Sequence, residues 1–179
     1  MNNKGFTLIE LLVTIAILSI IAVIAVPSFG RMIENNKIGS SRDGLLNALQ
    51  YARTEAVTRN RTVSICPSSN STSCLATTDW STGWIVFEDS ASGTTPTVGN
   101  IIRVYEGVTG FTINFVTEGV VPSPINNFFR YEPTGMLDTG FDSGTFAFCD
   151  PDGEATARAI ILGVTTGTVR TGAEADAGC

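Results

Sequence analysis

Apolar residues fall along this chain in three successive patterns. Phe6 to Val26 reads FTLIELLVTIAILSIIAVIAV, a run of twenty-one residues whose one ionisable group is Glu10. As a helix rising about 1.5 Å per residue it spans roughly 31 Å, the hydrocarbon thickness of a bilayer. The pattern then becomes one-sided. Leu45, Leu49, Ala52 and Ala56 step by four, three and four along one helix face, and Leu46 and Ala48 widen that stripe. One long helix is therefore predicted from Phe6 to Arg59, apolar all round in its first half and amphipathic in its second. Pro27 lacks a backbone N–H and clashes with the carbonyl four residues earlier, so the helix is expected to kink or break there. Gly30 and Gly39-Ser40-Ser41 are expected to weaken it further.

From Arg61 onward the pattern is that of strands. Thr62–Ile65, Trp84–Phe87, Ile101–Tyr105, Phe111–Val116, Phe128–Tyr131, Thr145–Phe148 and Arg158–Leu162 are short β-branched and aromatic runs between Gly, Pro, Ser and Thr clusters. Such a series predicts an α+β fold, with antiparallel sheets packed on the amphipathic half of the helix. Ser68–Thr78 and Ser90–Asn100 read as polar surface loops.

Composition adds the surroundings. The 179 residues suit one domain; they are 43% hydrophobic and only 16% charged, with a net charge of −6. Soluble domains carry about 25% charged residues, so part of this chain is suited to life outside water. A cleaved secretory signal fits the N-terminus poorly. Its apolar stretch would be about 7–15 residues long, and here only Lys4 is basic before the run, while Val26-Pro27-Ser28-Phe29 is a poor cut site. A carboxylate at Glu10 is costly in lipid unless it is neutralised, snorkels to the membrane edge, or pairs with a cation from another chain.

Histidine is absent, which excludes Ser-His-Asp and Cys-His nucleophile chemistry and zinc sites that need His. No phosphate-binding glycine loop is present. Asp150, Asp152 and Glu154 flank a Gly turn that reads as a hairpin with solvated acids, as do Asp138 and Asp142; an EF-hand would need more oxygen ligands at fixed spacing. Trp80 and Trp84 read as core or loop anchors. No metal, cofactor or catalytic residue is expected, and no enzymatic activity.

The four cysteines allow three pairings. Cys66–Cys74 with Cys149–Cys179 is preferred, because each bond closes a loop with no other evident support. In the loop-entropy model the short loop contributes about 2.5 kcal/mol and the long one about 3.5–4 kcal/mol. Such bonds require an oxidising compartment.

Charge is divided unevenly. Residues 6–61 hold six Lys/Arg against four Asp/Glu, while residues 62–179 hold four against thirteen, a net of −9. Arg42, Arg53, Arg59 and Arg61 read as a solvated or salt-bridging face near the end of the helix, or as a contact with a neighbour's acidic head.

Lys4-Gly5-Phe6-Thr7-Leu8-Ile9-Glu10, followed by the apolar helix and Pro27, resembles the class III signal of type IV pilins and type II secretion pseudopilins. The resemblance implies a leader of residues 1–5, cut by a prepilin peptidase between Gly5 and Phe6, with N-methylation of Phe6. It implies that Glu10 pairs with a neighbouring subunit's amine in the filament. Residues 6–28 would be the transmembrane and assembly helix, and residues 29–179 the periplasmic head. In the head, Tyr131-Glu132-Pro133-Thr134-Gly135, Phe148-Cys149-Asp150, Ala159–Leu162 and Gly167-Thr168-Val169-Arg170-Thr171 resemble the GspH/FimT family of pilin-like proteins, of which some relatives bind calcium. DNA-uptake members close with Gly-Arg-x-Arg; here Thr168 replaces the first Arg and Arg170 stands alone. The resemblance therefore implies a FimU-like minor pilin that helps to prime a type IV pilus and link its tip complex to the filament. Its partners would be other minor pilins, the major pilin and the peptidase, and DNA is not expected among them. It would sit in the inner membrane first and at the cell surface after assembly. A GspH-type secretion pseudopilin and a FimT-like DNA-uptake pilin are the alternatives.

Overall fold

The computed structural model describes residues 5–91, 93–117, 127–138, 143–163 and 166–179, with the side chains of Val26 and Pro27 left aside. Its first element is a helix of 52 residues, α1 (Leu8–Arg59), about 78 Å long at the ordinary helical rise. Thr7 caps it, so it starts two residues later than the apolar pattern predicts. At the other end Asn60 adopts a left-handed conformation, φ 51°, and Arg61 N–H donates to the Ala56 carbonyl at 3.1 Å, closing the last turn before the β-branched residues begin.

The predicted single long helix is found, with no break at its weak points. Helical structure is continuous through Pro27, Gly30 and Gly39-Ser40-Ser41. Proline removes one hydrogen bond and each glycine costs about 1 kcal/mol, which is too little to end a helix that is extended by regular bonding on both sides.

Among the described residues eight strands follow: β1 (Val63–Pro67), β2 (Gly83–Asp89), β3 (Val98–Glu106), β4 (Thr112–Thr117), β5 (Phe129–Tyr131), β6 (Gly144–Cys149), β7 (Arg158–Leu162) and β8 (Val169–Gly172). They form two four-stranded antiparallel sheets, ordered β3-β2-β1-β5 and β4-β6-β7-β8. Two details differ from the sequence reading. The predicted loop Ser90–Asn100 ends early, because Val98 pairs opposite Asp89 and lengthens the β2–β3 hairpin. The family-like stretch before Thr171 becomes a strand, β8, through pairing with β7, with Arg170 opposite Ile161.

α1 packs on β1, β2 and β5 of the first sheet and on β7 and β8 of the second. Ile38, Leu45, Ala48, Leu49, Ala52 and Ala56 are buried in that contact. Between the sheets, Trp80 stacks on Phe129 at 5.7 Å and meets Phe146 edge-on at 5.2 Å, so one indole touches both layers. Its backbone N–H donates to the Ile113 carbonyl at 2.7 Å and pins the loop before β2 to β4.

The first sheet also holds a buried ion pair. Arg130 on β5 is 2% exposed. Its Nε and Nη2 donate to Asp89 Oδ2 at 3.0 and 2.9 Å, and its Nη1 donates to Asp138 Oδ2 at 3.1 Å and to the Gly93 carbonyl at 2.7 Å. Asp89 also accepts from the Ser64 hydroxyl at 2.7 Å and from the N–H groups of Ala91 and Thr97, each at 2.9 Å. The cluster ties β1, β2, β5 and the loop after β2 to one another. Removing one partner strands a buried charge, so Arg130→Ala should cost about 3–5 kcal/mol of stability. Denaturation followed by the fluorescence of the buried Trp80 and Trp84 measures it; a loss below about 1 kcal/mol, within the range of an exposed pair, would show the cluster to be dispensable.

Candidate assembly and processing site

The start of the chain is exposed at every described position as far as Ile24. Gly5, Phe6 and Thr7 precede the helix, and Phe6 is 85% exposed. A peptidase needs an accessible, non-helical peptide, and the Gly5–Phe6 bond lies in such a segment. A Cβ placed at Gly5 would meet nothing within 4 Å among the described residues.

Glu10 lies in the first turn of α1. Its Oε2 accepts from the Thr7 N–H and from the Thr7 hydroxyl, both at 2.8 Å, while the Thr7 hydroxyl accepts from the Glu10 N–H at 3.3 Å. This reciprocal capping box satisfies two donors at the helix start. It was legible as Thr7-Leu8-Ile9-Glu10, although the sequence reading treated Glu10 as a lone carboxylate. Both hydrogen bonds fall on one oxygen, leaving Oε1 without a partner among the described residues. Around it Leu8, Ile9, Leu11, Leu12, Ile15 and further large apolar side chains up to Ile24 are exposed. α1 is long and apolar enough to cross a membrane, and none of its most apolar stretch is buried in the head.

Beyond the span, the structure bonds Cys66 to Cys74 and Cys149 to Cys179, with Cα separations of 5.6 and 5.7 Å, ordinary disulfide spacing. The second bond holds the C-terminal tail, with its short 3₁₀ turn Glu174–Asp176, against the end of β6.

The basic residues do not form one patch. Arg59 pairs with Glu55 and reaches Glu88 at 3.2 Å, Arg61 reaches Glu88 at 4.0 Å, and Arg42 pairs with its neighbour Asp43 at 2.7 Å. Arg103 lies over the rings of Tyr51 and Tyr105, 5.4 and 5.2 Å from their centroids. Arg170 is exposed on β8 and has no ion pair among the described residues. The buried Arg130–Asp89 pair escaped the sequence reading, because its members lie on different strands and neither looks unusual locally.

Asp150 works inside its own turn. It accepts from the backbone N–H groups of Asp152, Glu154 and Ala155 at 3.2, 3.0 and 2.8 Å. Those bonds, led by that from Ala155, hold its carboxyl below the usual carboxylate range. Among the described residues no group of three or more Asp, Glu or Cys side chains converges on a point that a metal could occupy. Asp142 lies outside the described residues. Trp80 and Trp84 are both buried.

A family model described as Type II transport protein GspH matches residues 42–166, and one described as Prokaryotic N-terminal methylation motif matches residues 1–26. Among solved structures, the type IV minor pilin FimU of Pseudomonas aeruginosa superposes in two crystal forms. The TM-scores are 0.58 and 0.55 at 23% and 24% identity, over 80% and 76% of this chain and 94% of FimU in both cases. The chain shares the FimU fold. The minor pseudopilin EpsH of the Vibrio cholerae Type 2 Secretion System aligns with a TM-score of 0.47 at 12% identity, over 75% of this chain and 95% of EpsH. No curated protein matches the sequence significantly.

The Asp150 turn predicts a pH effect. A carboxyl held lower in the folded than in the unfolded chain stabilises the fold above the unfolded value of about 3.9. That contribution is lost as pH falls through the depressed folded value. Asp150→Asn should therefore shrink the acid loss of stability below about pH 4, and melting curves of both proteins from neutral to acid pH test it. Parallel acid profiles would refute a stabilising carboxylate.

Proposed function

Because the chain belongs to the GspH family, a family of structural pilin-like subunits, we propose that it is a minor pilin of a type IV pilus. The observation that carries this reading is the exposed, membrane-length half of α1, opened by Gly5-Phe6 and Glu10 and continuous with the head. In this reading a prepilin peptidase cuts between Gly5 and Phe6 and methylates the new amine. The mature chain begins at Phe6, loses Lys4 and carries −7. Its first helical segment, to about Ser28 and past Pro27, anchors it in the inner membrane, and residues 29–179 form the periplasmic head, stapled by both disulfides in an oxidising compartment.

Assembly then exchanges lipid around α1 for the helices of other minor pilins and of the major pilin. The methylated amine of a neighbouring Phe6 supplies a cation for Glu10. The capping box supports this, because Thr7 occupies one carboxylate oxygen and leaves Oε1 for that partner. A subunit that primes the filament and joins a tip complex to its shaft needs these surfaces and no cofactor or catalytic group. The family description favours one other reading, a pseudopilin of type II secretion, with the same chemistry and different neighbours.

Intact-mass analysis of the membrane-extracted protein should give a chain beginning at methylated Phe6; an uncut Met1 or a start near Ser28 would refute the processing step. Glu10→Ala should insert into the membrane as well as the parent and yet be depleted from sheared pili. Equal incorporation would count against the charge pair. Recovery of the parent in sheared pili, against a secretion defect on its deletion, separates pilus from pseudopilus.

DNA is not a partner in this reading. Residues 29–179 hold ten basic against sixteen acidic residues, and Arg170 is isolated on β8. Binding to DNA strengthens with each phosphate neutralised, so only weak association is expected even at about 50 mM salt. A gel shift checks this, and micromolar binding abolished by Arg170→Gln would restore the DNA-uptake alternative.

A further inference from the structure

A groove of about 470 Å³ runs beside the last turns of α1, between Arg53, Thr54, Val57 and Thr58 on the helix and Gly167-Thr168 ahead of β8. Two glycines shape its surroundings. Gly167 has φ +60°, and a Cβ there would stand 2.8 Å from Tyr131 Cε1. Gly135 has φ +78°, and a Cβ there would stand 3.0 Å from Val57 Cγ2 and 3.4 Å from Arg53 Nε. Only glycine lets the backbone close in at these two points.

Among the described residues Arg53 makes no ion pair, unlike its helix neighbours Arg42, Arg59 and Arg61. The threonine hydroxyls on either side are already engaged, Thr54 with the Gln50 carbonyl and Thr168 with Thr166. Tyr131 is fully buried behind Gly167, and its hydroxyl has no hydrogen-bond partner among the described residues. Burial pushes that hydroxyl's pKa up, and the nearby Arg53 charge opposes the rise. Beside these groups Val57 and Met136 stand 51% and 50% exposed.

An unpaired guanidinium lining a groove fits an acceptor, above all a carboxylate. Exposed Val57 and Met136 fit an apolar flank next to it. Building on the pilin reading, we propose that this groove docks a carboxylate-bearing segment on the head of the subunit next above in the filament. Two arguments select that occupant. The groove lies at the membrane-distal end of α1, and subunits leave the membrane in succession, so this end meets those already extracted. Heads of this kind are rich in carboxylates; residues 62–179 alone hold thirteen Asp/Glu against four Lys/Arg. A polyphosphate chain would need several clustered cations, and the groove has one.

The test places a photoreactive benzophenone amino acid at Val57 of the full chain, in cells that assemble filaments. Light should give an adduct in the sheared-filament fraction whose peptides identify another pilin. Arg53→Glu should lower its yield about fivefold or more, the upper end for a partly exposed charge pair, while Arg53→Lys keeps most of it. Thr58→Trp fills the groove from an exposed position while keeping the Arg53 charge and should lower the yield similarly. The same reporter at Thr72, exposed on the Cys66–Cys74 loop, should give a signal that neither variant alters. Filaments that contain the chain but give no pilin adduct from Val57 would overturn the docking site and leave the pilin reading intact. So would a yield indifferent to Arg53→Glu and Thr58→Trp. A normally accumulated chain that never enters filaments would overturn both.

Discussion

Everything in the head rests on the burial of one helix stripe. Ile38, Leu45, Ala48, Leu49, Ala52 and Ala56 disappear beneath two sheets that α1 alone spans lengthwise. Alanine at three of these positions lets strands approach the helix backbone closely, and the larger side chains fill the space between the layers. Full burial of each Leu or Ile contributes about 1.5–3 kcal/mol. That is ample to offset the roughly 1 kcal/mol that each of Gly39 and Gly44 costs the helix. Because the same helix continues into the exposed apolar segment, head and anchor are joined without a linker. A pull on one end is carried to the other through backbone hydrogen bonds.

The sequence made this helix legible because its signal is periodic and local. The step of four, three and four at Leu45, Leu49, Ala52 and Ala56 needs no knowledge of what lies opposite. The same holds for β2, β4, β6 and β7, whose apolar runs are dense. What escaped depends on pairing. Val98-Gly99-Asn100 is polar enough to read as loop and becomes strand because β2 continues beside it. Val169–Gly172 has one apolar side chain and becomes strand because β7 and α1 lie next to it. Arg130 sits between Phe129 and Tyr131 and reads as the solvent-facing residue of an alternating strand. Its partner Asp89 is 41 residues away, and no local pattern encodes a contact of that range. The helix breakers carry a penalty that is local and real, and long helices propagate across it.

The N-terminal region was legible as a motif, and its geometry was not. Gly5, Phe6 and Glu10 follow from resemblance and from the oddity of a carboxylate in an apolar run. That Thr7 already holds one oxygen of Glu10 is a consequence of helix capping, which the Thr7-to-Glu10 spacing signals and the helix start at Leu8 realises. The groove at Arg53 was further out of reach. A basic residue near the end of a helix is ordinary, and it becomes informative only when its neighbours Arg59 and Arg61 prove to be paired and Arg53 does not.

The exposed half of α1 also constrains how a filament of such subunits holds together. Moving apolar side chains from lipid to a helix bundle gains no hydrophobic energy, because lipid tails are as apolar as leucine. In the pilin reading the span is therefore held by packing and by the charge on Glu10. The segment just beyond it is different. Phe29, Met32 and Ile33 are exposed on the helix before the first buried stripe residue, Ile38. In the pilin reading, with residues 6–28 as the span, a single membrane-bound subunit holds them at or above the headgroups, where water reaches them. Covering them with a neighbouring helix removes apolar surface from water and stabilises by about 25 cal/mol per Å². Placing Phe29, Met32 and Ile33 directly between the lipid-facing span and the folded head puts the hydrophobic gain where it favours the assembled state. In the same reading the membrane-spanning half, which gains nothing from water, is left to set register through Glu10.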